Sequence, residues 1–262
     1  MKIIFRADDL GFSEGVNCGI YRAVKDGPIT CTGLMPNMPQ AAAGYEMVRD
    51  TGVEVGQHTN ICVGRPLSDP ARIPSLVGSD GNFCTSREIR ARKQDTIVLE
   101  EVELEIQAQL DRFRAITGKD PAYFEGHAVM SPNFFQGLKN VAARNGLLYC
   151  DPVDPQWSKE HGIQCASFYH LDEKGLYDPC KYIFGDEAKL TDKECSVLVF
   201  HPGYLDQYLL PVQRRPQGLD AAKPGGAHDI YGPGQGIFGE GRSVIRYAGR
   251  QVGRFAGRPV RK

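Results

Sequence analysis

The stretch KIIFRADDLG, residues 2–11, is a short apolar run that ends in two adjacent carboxylates, Asp8 and Asp9. Neighbouring charges in an apolar layer each need a partner, so we expect the strand to stop at Arg6. Both carboxylates then lie at the C-terminal end of a strand, where α/β sheets place their ligand sites. Because adjacent side chains point in different directions, one Asp can hold a metal ion while the other accepts a proton.

Outward from this stretch, strand-like and helix-like segments alternate along residues 1–210, which is the pattern of a mostly parallel α/β sheet. The most regular helix starts near Ile97, carries an apolar stripe on one face and stops at Gly118. Strands are predicted at Lys2–Arg6, Thr30–Met35, Val53–His58, Ala122–Glu125, Leu147–Cys150 and Ser196–Phe200, and helices at Ser13–Lys25, Gln40–Arg49, Ile97–Thr117 and Pro132–Arg144.

Two long stretches interrupt this alternation. Residues 59–95 lack periodicity, and loops of that length in a compact domain are typically binding loops or lids. Residues 151–181 contain several aromatic side chains, among them Trp157, Phe168, Tyr169 and Tyr177. These aromatic rings either stack on sugar rings or pack the loop onto the sheet, and the sequence leaves both alternatives open.

Composition excludes several functional classes. The net charge of −1 gives no reason to expect nucleic acid or an anionic membrane as a partner. No apolar run reaches the roughly 18–20 residues that span a bilayer, and we expect a cytoplasmic protein. Its eight cysteines include no CxxC pair and are expected to be reduced. The segment 211–262 differs, with eleven Gly, ten Lys or Arg and only three Asp or Glu. We expect it to be an atypical, poorly ordered C-terminal segment beside a domain over 1–210.

Three histidines, His58, His127 and His201, also fall at predicted strand ends. A catalytic divalent site commonly has three protein ligands and an open position for water. Asp9, His58 and His127 form such a set, and mixed oxygen and nitrogen donors suit Zn²⁺ as well as Mg²⁺, Mn²⁺, Co²⁺ or Ni²⁺. Asp8 would then accept a proton and His201 would donate one, as expected of a hydrolytic centre.

Simpler interpretations stay open at this point. An Asp-Asp pair after a strand is often a turn or a helix cap, and a single His is more often a structural residue than a ligand. Cys62 lies close to His58 in sequence and is either a further ligand or a small packing residue. The coincidence of all candidates at strand ends favours a metal site.

Four segments resemble the YdjC-like carbohydrate deacetylases (the ChbG/HpnK group): ADDLGFSEGVNCGI at 7–20, VGQHTNICVGRPL at 55–67, YFEGHAVMSP at 123–132 and VFHPGYLD at 199–206. The resemblance implies a single (β/α) barrel-like domain of distorted TIM type with long active-site loops. It also implies a divalent metal, Mg²⁺ or Zn²⁺, and removal of acetyl groups from N-acetylated sugars such as chitooligosaccharides. By analogy, Asp9, His58 and His127 would be the metal ligands, Asp8 the base and His201 the acid.

The sequence departs from this family in two places, at one motif and in the Gly- and Arg-rich segment that begins at Pro211. Many relatives carry Asp-Ser-His-x-His-x-His, whereas this chain has Glu-Gly-His-Ala-Val-Met-Ser at 125–131. The first histidine, His127, is kept and the two later ones are replaced. We therefore expect the metal site to be retained and the residues around the substrate to differ from those of the relatives.

Two competing functions are considered. A metal phosphoesterase or another C–N hydrolase could use the same ligands, but phosphate calls for basic clamps, and only Arg6, Arg22 and Arg65 lie near the motifs. A sugar-binding relative that has lost catalysis is the non-enzymatic alternative. The expected partner is a small carbohydrate, with no nucleic acid and no membrane, and a homodimer is left open.

Overall fold

The computed structural model describes residues 2–167, 173, 178–190 and 194–209, and the structural statements below refer to these residues. The strands are β1 (Lys2–Leu10), β2 (Cys31–Leu34), β3 (Glu54–Thr59), β4 (Phe124–Gly126), β5 (Gln164–Cys165) and β6 (Cys195–Phe200). The helices are α1 (Glu14–Asp26), α2 (Ala41–Val48), α3 (Ser86–Arg90), α4 (Leu99–Thr117), α5 (Pro132–Asn145), α6 (Pro155–His161) and α7 (Pro179–Phe184), with a 3-10 turn at Pro70–Arg72.

The six strands form one parallel sheet in the order β4-β3-β2-β1-β6-β5, curled into a half-barrel. All the carboxyl ends of the strands therefore meet at one edge of the sheet, where Asp8, Asp9 and His58 lie. The predicted α/β, barrel-like fold class is confirmed. None of the described helices combines the length and apolar character that crossing a bilayer requires.

A continuous apolar core joins the sheet to its helices. Helix α4 contributes buried Ile106, Leu110 and Phe113, which belong to the same cluster as Phe124 of β4 and Phe134 of α5. The apolar stripe predicted for the 97–117 helix is thus the face that packs on the sheet. Gly118, which ends α4, has a φ of 71°, the left-handed conformation that favours glycine at a helix end.

The prediction that the first strand stops at Arg6 is wrong, because β1 continues to Leu10. Asp8 and Asp9 are therefore buried within the strand, at 2% and 0% exposure. The expectation assumed that no partners were available for two buried carboxylates. Arg6 of the same strand, His58 of β3 and His127 directly after β4 provide those partners.

The predicted strand at Leu147–Cys150 is reduced to a single parallel bridge between Tyr149 and Phe124. Two backbone hydrogen bonds support it: Phe124 N–H donates to the Leu148 carbonyl at 2.9 Å, and Cys150 N–H donates to the Phe124 carbonyl at 2.8 Å. This segment extends the sheet beyond β4 by one contact.

The loop over residues 59–95 is tied to helix α4. The buried carboxylate of Glu105 accepts hydrogen bonds from Leu67 N–H at 3.1 Å and Ser68 N–H at 2.8 Å, and Glu101 accepts one from Ser75 N–H at 2.7 Å. The loop also contains α3 and an antiparallel bridge between residues 77 and 83. It is a packed structure held against helix α4.

In the second long stretch, Trp157 packs against the protein. It is 9% exposed, and its indole N–H donates to the Tyr149 carbonyl at 2.9 Å. The packing alternative therefore holds for Trp157. Phe168, Tyr169 and Tyr177 lie outside the described residues, as does the predicted C-terminal segment 211–262.

Candidate metal centre

Strand β1 brings both of its aspartates to one place through a local irregularity. Ala7 pairs with Thr32 and Leu10 pairs with Leu34, so β1 contains one residue more than β2 between these two pairs. Asp9 has a φ of 76°, which is unusual for a residue with a side chain. A bulge of this kind interrupts the alternation of side chains along a strand. It allows the neighbouring carboxylates of Asp8 and Asp9 to face the same cluster.

Asp9, His58 and His127 converge on one point. The Oδ1 atom of Asp9 lies 3.2 Å from Nε2 of His58 and 3.2 Å from Nδ1 of His127. The same two histidine nitrogens are 2.8 Å apart. All three side chains are buried, with at most 4% exposure. Residues separated by up to 118 positions thus present three donor atoms at mutual contact distance.

This triangle has the dimensions of a metal-ligand face. With bonds of about 2.0–2.2 Å, two ligand atoms of a tetrahedral site are roughly 3.3–3.6 Å apart. In an octahedral site with bonds of about 2.1 Å, adjacent ligands are roughly 3.0 Å apart. The observed separations of 2.8–3.2 Å are close to both, so the donor set fits a divalent cation without choosing the metal.

The charge of the buried cluster gives a second reason to expect a cation. Three carboxylates, Asp8, Asp9 and Glu125, are buried together with one guanidinium, Arg6. With neutral imidazoles the formal charge is therefore −2, and uncompensated buried charge is costly. A divalent cation would neutralise it.

Glu125 fixes the orientation of His58, and sequence reasoning assigned it no role. It is the register partner of His58 across β3 and β4, and its Oε1 atom contacts His58 Nδ1. The other ring nitrogen of His58 is thereby directed at Asp9 and His127. Metal-binding histidines commonly have such a carboxylate behind them. The signal available in the sequence was Glu125 two residues before His127 at a strand end.

Arg6 links Asp8 to Glu125. Its Nη2 atom lies 2.8 Å from Asp8 Oδ2 and 3.5 Å from Glu125 Oε2. Asp8 also approaches His58, since Asp8, His58 and Glu125 form a second group of converging donor atoms. The sequence suggested Arg6 only as a candidate phosphate clamp. In the structure, its guanidinium instead forms ion pairs with these two carboxylates.

These contacts shift the pKa values of the cluster against the effect of burial. Burial opposes ionisation of Asp9, yet His127 and His58 hold the pKa of Asp9 well below its ordinary value. Burial likewise opposes ionisation of Asp8, but Arg6, followed by His58 and His201, lowers its pKa. The cluster therefore holds both aspartates as carboxylates.

The histidines shift in the complementary direction. Burial lowers the pKa of His127, but Asp9 outweighs it and raises that pKa to about 9. Burial also opposes protonation of His58, whereas Glu125 and Asp8 raise its pKa well above the ordinary value. The carboxylates around the two imidazoles thus favour positive charge in this cluster. Cys62 lies beside His127 and contributes to its raised pKa, but it is not part of the converging donor set.

Gly33 on β2 leaves the space in which Asp8 and His58 meet. A Cβ atom at this position would lie 2.9 Å from His58 Cβ and 3.2 Å from Asp8 Oδ1. Both distances are shorter than ordinary contacts. The absence of a side chain on β2 is therefore a requirement of the cluster.

His201 follows β6 and is half-buried. The parallel register pairs Ala7 with Phe200, which brings His201 level with Asp8. It lies near enough to both aspartates to lower their pKa values. The structure thus brings all five predicted site residues to the same edge of the sheet.

The segment that carries His201 is anchored on helix α1. Asp206 Oδ2 accepts a hydrogen bond from Gly15 N–H at 2.8 Å, and Tyr204 N–H donates to the Gly15 carbonyl at 2.9 Å. A Cβ atom on Gly19, one turn further along, would lie 2.5 Å from Gly203 Cα. Two glycines on one face of α1 therefore let this segment approach the helix backbone closely.

Comparison with known proteins adds the family context. A family model described as YdjC-like protein matches residues 2–223. The chain is 31% identical over 209 residues to a carbohydrate deacetylase of Geobacillus stearothermophilus, covering 78% of this chain and 80% of that protein. It is 39% identical over 225 residues to a carbohydrate deacetylase of Brevibacillus brevis, covering 80% and 84%.

Among solved structures, a protein of Enterococcus faecalis described as a candidate cellobiose-phosphate cleavage protein has a similar fold. The TM-score is 0.66 at 21% identity, and the match covers 80% of this chain and 84% of that one. At this identity the likeness supports the fold alone.

Proposed function

Since this chain belongs to the YdjC-like protein family, we propose that it is a metal-dependent carbohydrate deacetylase that hydrolyses the amide bond of N-acetylated sugars of the chitooligosaccharide type. The observation that carries the proposal is the convergence of Asp9, His58 and His127, with donor atoms 2.8–3.2 Å apart. These three residues would hold the cation, either Mg²⁺ or Zn²⁺. When bound, a divalent cation activates water and polarises a carbonyl group.

Asp8 acts as the general base. It is ionised and lies next to the proposed ligand Asp9, so it can accept a proton from the water that attacks the acetamide carbon. Its bond to Arg6 fixes one carboxylate oxygen, Oδ2, while Oδ1 has no hydrogen-bond partner within the described chain. That second oxygen is the one available to receive the proton.

His201 acts as the general acid. A C–O bond forms at the carbonyl carbon, the C–N bond breaks, and the departing nitrogen takes a proton from the imidazole. The products are acetate and a free amino sugar. The proximity of His201 to Asp8 and Asp9 supports this assignment, because acid and base then belong to one cluster.

The sugar-binding surroundings are expected to differ from those of relatives with more histidines in this motif. After His127, the chain turns through Ala128, which has a φ of 53°, and exposes 72% of Met130. An apolar side chain at the strand-end edge favours contact with an apolar face of the substrate over hydrogen bonding to hydroxyl groups.

A phosphoesterase is disfavoured by the arginines. Arg6 is bound to Asp8 and Glu125, and Arg22 pairs with Asp26 at 2.6 Å on the surface of α1. Of the three arginines near the motifs, that leaves Arg65 as a candidate phosphate clamp.

An acetate-release screen over N-acetylated saccharides, run with Zn²⁺, Co²⁺ or Mg²⁺, tests the proposal. We expect acetate from the wild type, and loss of both metal and turnover in Asp9→Ala and His58→Ala. Asp8→Asn and His201→Ala should keep the metal and lose turnover. Phosphate release from a phosphorylated sugar would favour the phosphoesterase, and tight sugar binding without acetate would favour the non-catalytic relative.

A further inference from the structure

A second group of metal-type donors lies directly behind the proposed centre. Donor atoms of Asp8, His58 and Glu125 fall within 4.8 Å of one another, and all three residues are buried. Two carboxylates and an imidazole at this distance would attract a cation. The guanidinium of Arg6 already contacts both carboxylates, at 2.8 Å and 3.5 Å. Arg6 is thus the resident cation of this second group.

The protein holds the guanidinium in place from another side as well. The Cζ atom of Arg6 lies 5.7 Å from the ring centroid of Tyr123, within the range of a cation–π contact. Gly56 makes room for that ring, because a Cβ atom there would overlap it. Arg6 itself is only 8% exposed. Ion pairs and ring contact together leave it little freedom to move.

We propose that Arg6 is a positioning residue that holds Asp8 beside the cation as a proton acceptor and keeps it from becoming a fourth protein ligand. This inference rests on the proposed function, because it assumes that Asp8 is the base. Asp8 lies next to Asp9 in sequence and close to His58 in space, so a carboxylate released from Arg6 has a short path to the metal. A carboxylate bound to a metal is a poorer proton acceptor than one held beside it.

The proposal predicts opposite changes in metal binding and turnover. In Arg6→Gln, a positive charge near the cation is lost and Asp8 is free to ligate, and both effects favour the metal. We expect the Kd for Zn²⁺ or Co²⁺ to fall by about tenfold or more. We expect kcat to fall by about 10²-fold, the contribution of a positioned base, with little change in KM. A purely structural role for Arg6 would instead weaken metal binding and turnover together.

Introducing Arg6→Gln into the Asp8→Asn protein shows whether Arg6 acts through Asp8. If Arg6 acts through Asp8, then Arg6→Gln should alter the visible absorption spectrum of the Co²⁺-loaded protein only when Asp8 is present. In the Asp8→Asn protein, the same substitution should leave the spectrum unchanged, because the neutral amide does not become a carboxylate ligand. An equal spectral change in both backgrounds would overturn the proposal.

Two further variants keep the test decisive. Arg6→Lys retains a positive charge beside Asp8 but loses the planar contacts of the guanidinium, so its Kd should stay near the wild-type value and its kcat should lie within about tenfold of it. If Arg6→Gln fails to fold, a wild-type Kd and near-wild-type kcat in Arg6→Lys still support the proposal. Weakened metal binding in Arg6→Lys would count against it. Arg22→Gln removes an exposed arginine, 58% of whose side chain is accessible, and should change neither quantity.

The metal measurements do not depend on the substrate. If the wild type releases no acetate, the proposed function fails, whereas the Kd and the Co²⁺ spectrum still report on Arg6. If Arg6→Gln binds metal as the wild type does or more weakly, the role of Arg6 is refuted regardless of activity.

Discussion

Replacing Gly33 with alanine tests whether the proposed metal centre depends on the space that β2 leaves open. The new Cβ atom would lie 2.9 Å from His58 Cβ and 3.2 Å from Asp8 Oδ1. Carbon atoms in contact are about 3.5–4.0 Å apart, so His58 or β2 must move by roughly 0.6 Å or more. The donor atoms are themselves only 2.8–3.2 Å apart, and a movement of that size changes their geometry.

The expected cost follows from packing. An extra methyl group in a close-packed interior destabilises by about 1–3 kcal/mol. If that strain falls on the arrangement that binds metal, the affinity for Zn²⁺ drops by roughly 5- to 150-fold, since each 1.4 kcal/mol is a factor of about ten. Calorimetric titration with Zn²⁺ measures this change, and thermal unfolding of the metal-free protein reports any strain carried by the fold.

Gly78→Ala is the matched control. Its Cβ atom would meet only Asp80 Oδ1 at 3.4 Å, an ordinary contact, and the residue is exposed. We expect wild-type metal affinity and unchanged or slightly higher stability for this variant. If the Gly33→Ala protein binds Zn²⁺ with the same affinity as the Gly78→Ala protein, position 33 of β2 does not need to lack a side chain, and the reasoning is refuted.

Three other predictions concern metal, helix α1 and acid. Removing metal with a chelator should lower the unfolding temperature, and metal at 100 times its Kd should restore about 2.7 kcal/mol; equal unfolding temperatures would contradict metal binding to the folded state. Gly19→Ala should push the His201 segment from α1, because its Cβ atom would lie 2.5 Å from Gly203 Cα, and should lower kcat without changing metal affinity; an unchanged kcat would contradict this. Burial opposes the shift, but hydrogen bonds from Ser13 and from three backbone N–H groups lower the pKa of Asp206. The stabilisation that these hydrogen bonds give is therefore present above the unfolded-state pKa of about 3.9 and is lost as the pH falls through the lower folded-state pKa. Denaturant unfolding of wild type and Asp206→Asn should differ at pH 7, and the difference should shrink as the pH falls from about 4 through the folded-state pKa of Asp206; a gap that persists at still lower pH would contradict the sign.

The alternation of strands and helices was predictable because each element carries its own local signal. Ser13 was expected to cap the first helix, and its side chain accepts a hydrogen bond from Val16 N–H. The carboxyl ends of parallel strands share an edge of the sheet. Asp9, His58 and His127 were therefore predicted to lie close together, and in the structure they do. These inferences need only local pattern and topology.

The course of β1 past Arg6 was not predictable from the same rules. Whether Asp8 and Asp9 can be buried depends on partners that arrive from β3 and from the end of β4, far along the chain. The bulge at Asp9 is likewise a feature of pairing with β2. A strand rule based on local hydrophobicity lacks that information.

Roles that depend on register were missed for a related reason. Glu125 meets His58 only because β3 and β4 pair at those positions, and Gly33 matters only because β2 lies between Asp8 and His58. In sequence, Glu125 is an ordinary polar residue at a strand end and Gly33 an ordinary glycine in a strand. The supporting residues of the site therefore needed the three-dimensional structure.

The most direct test of the metal centre is a crystal structure of the Zn²⁺-loaded protein, with data collected on both sides of the zinc absorption edge. We expect one anomalous peak per chain within about 2.0–2.2 Å of Asp9, His58 and His127. A peak bound elsewhere, or none between these three side chains at saturating Zn²⁺, would contradict the site.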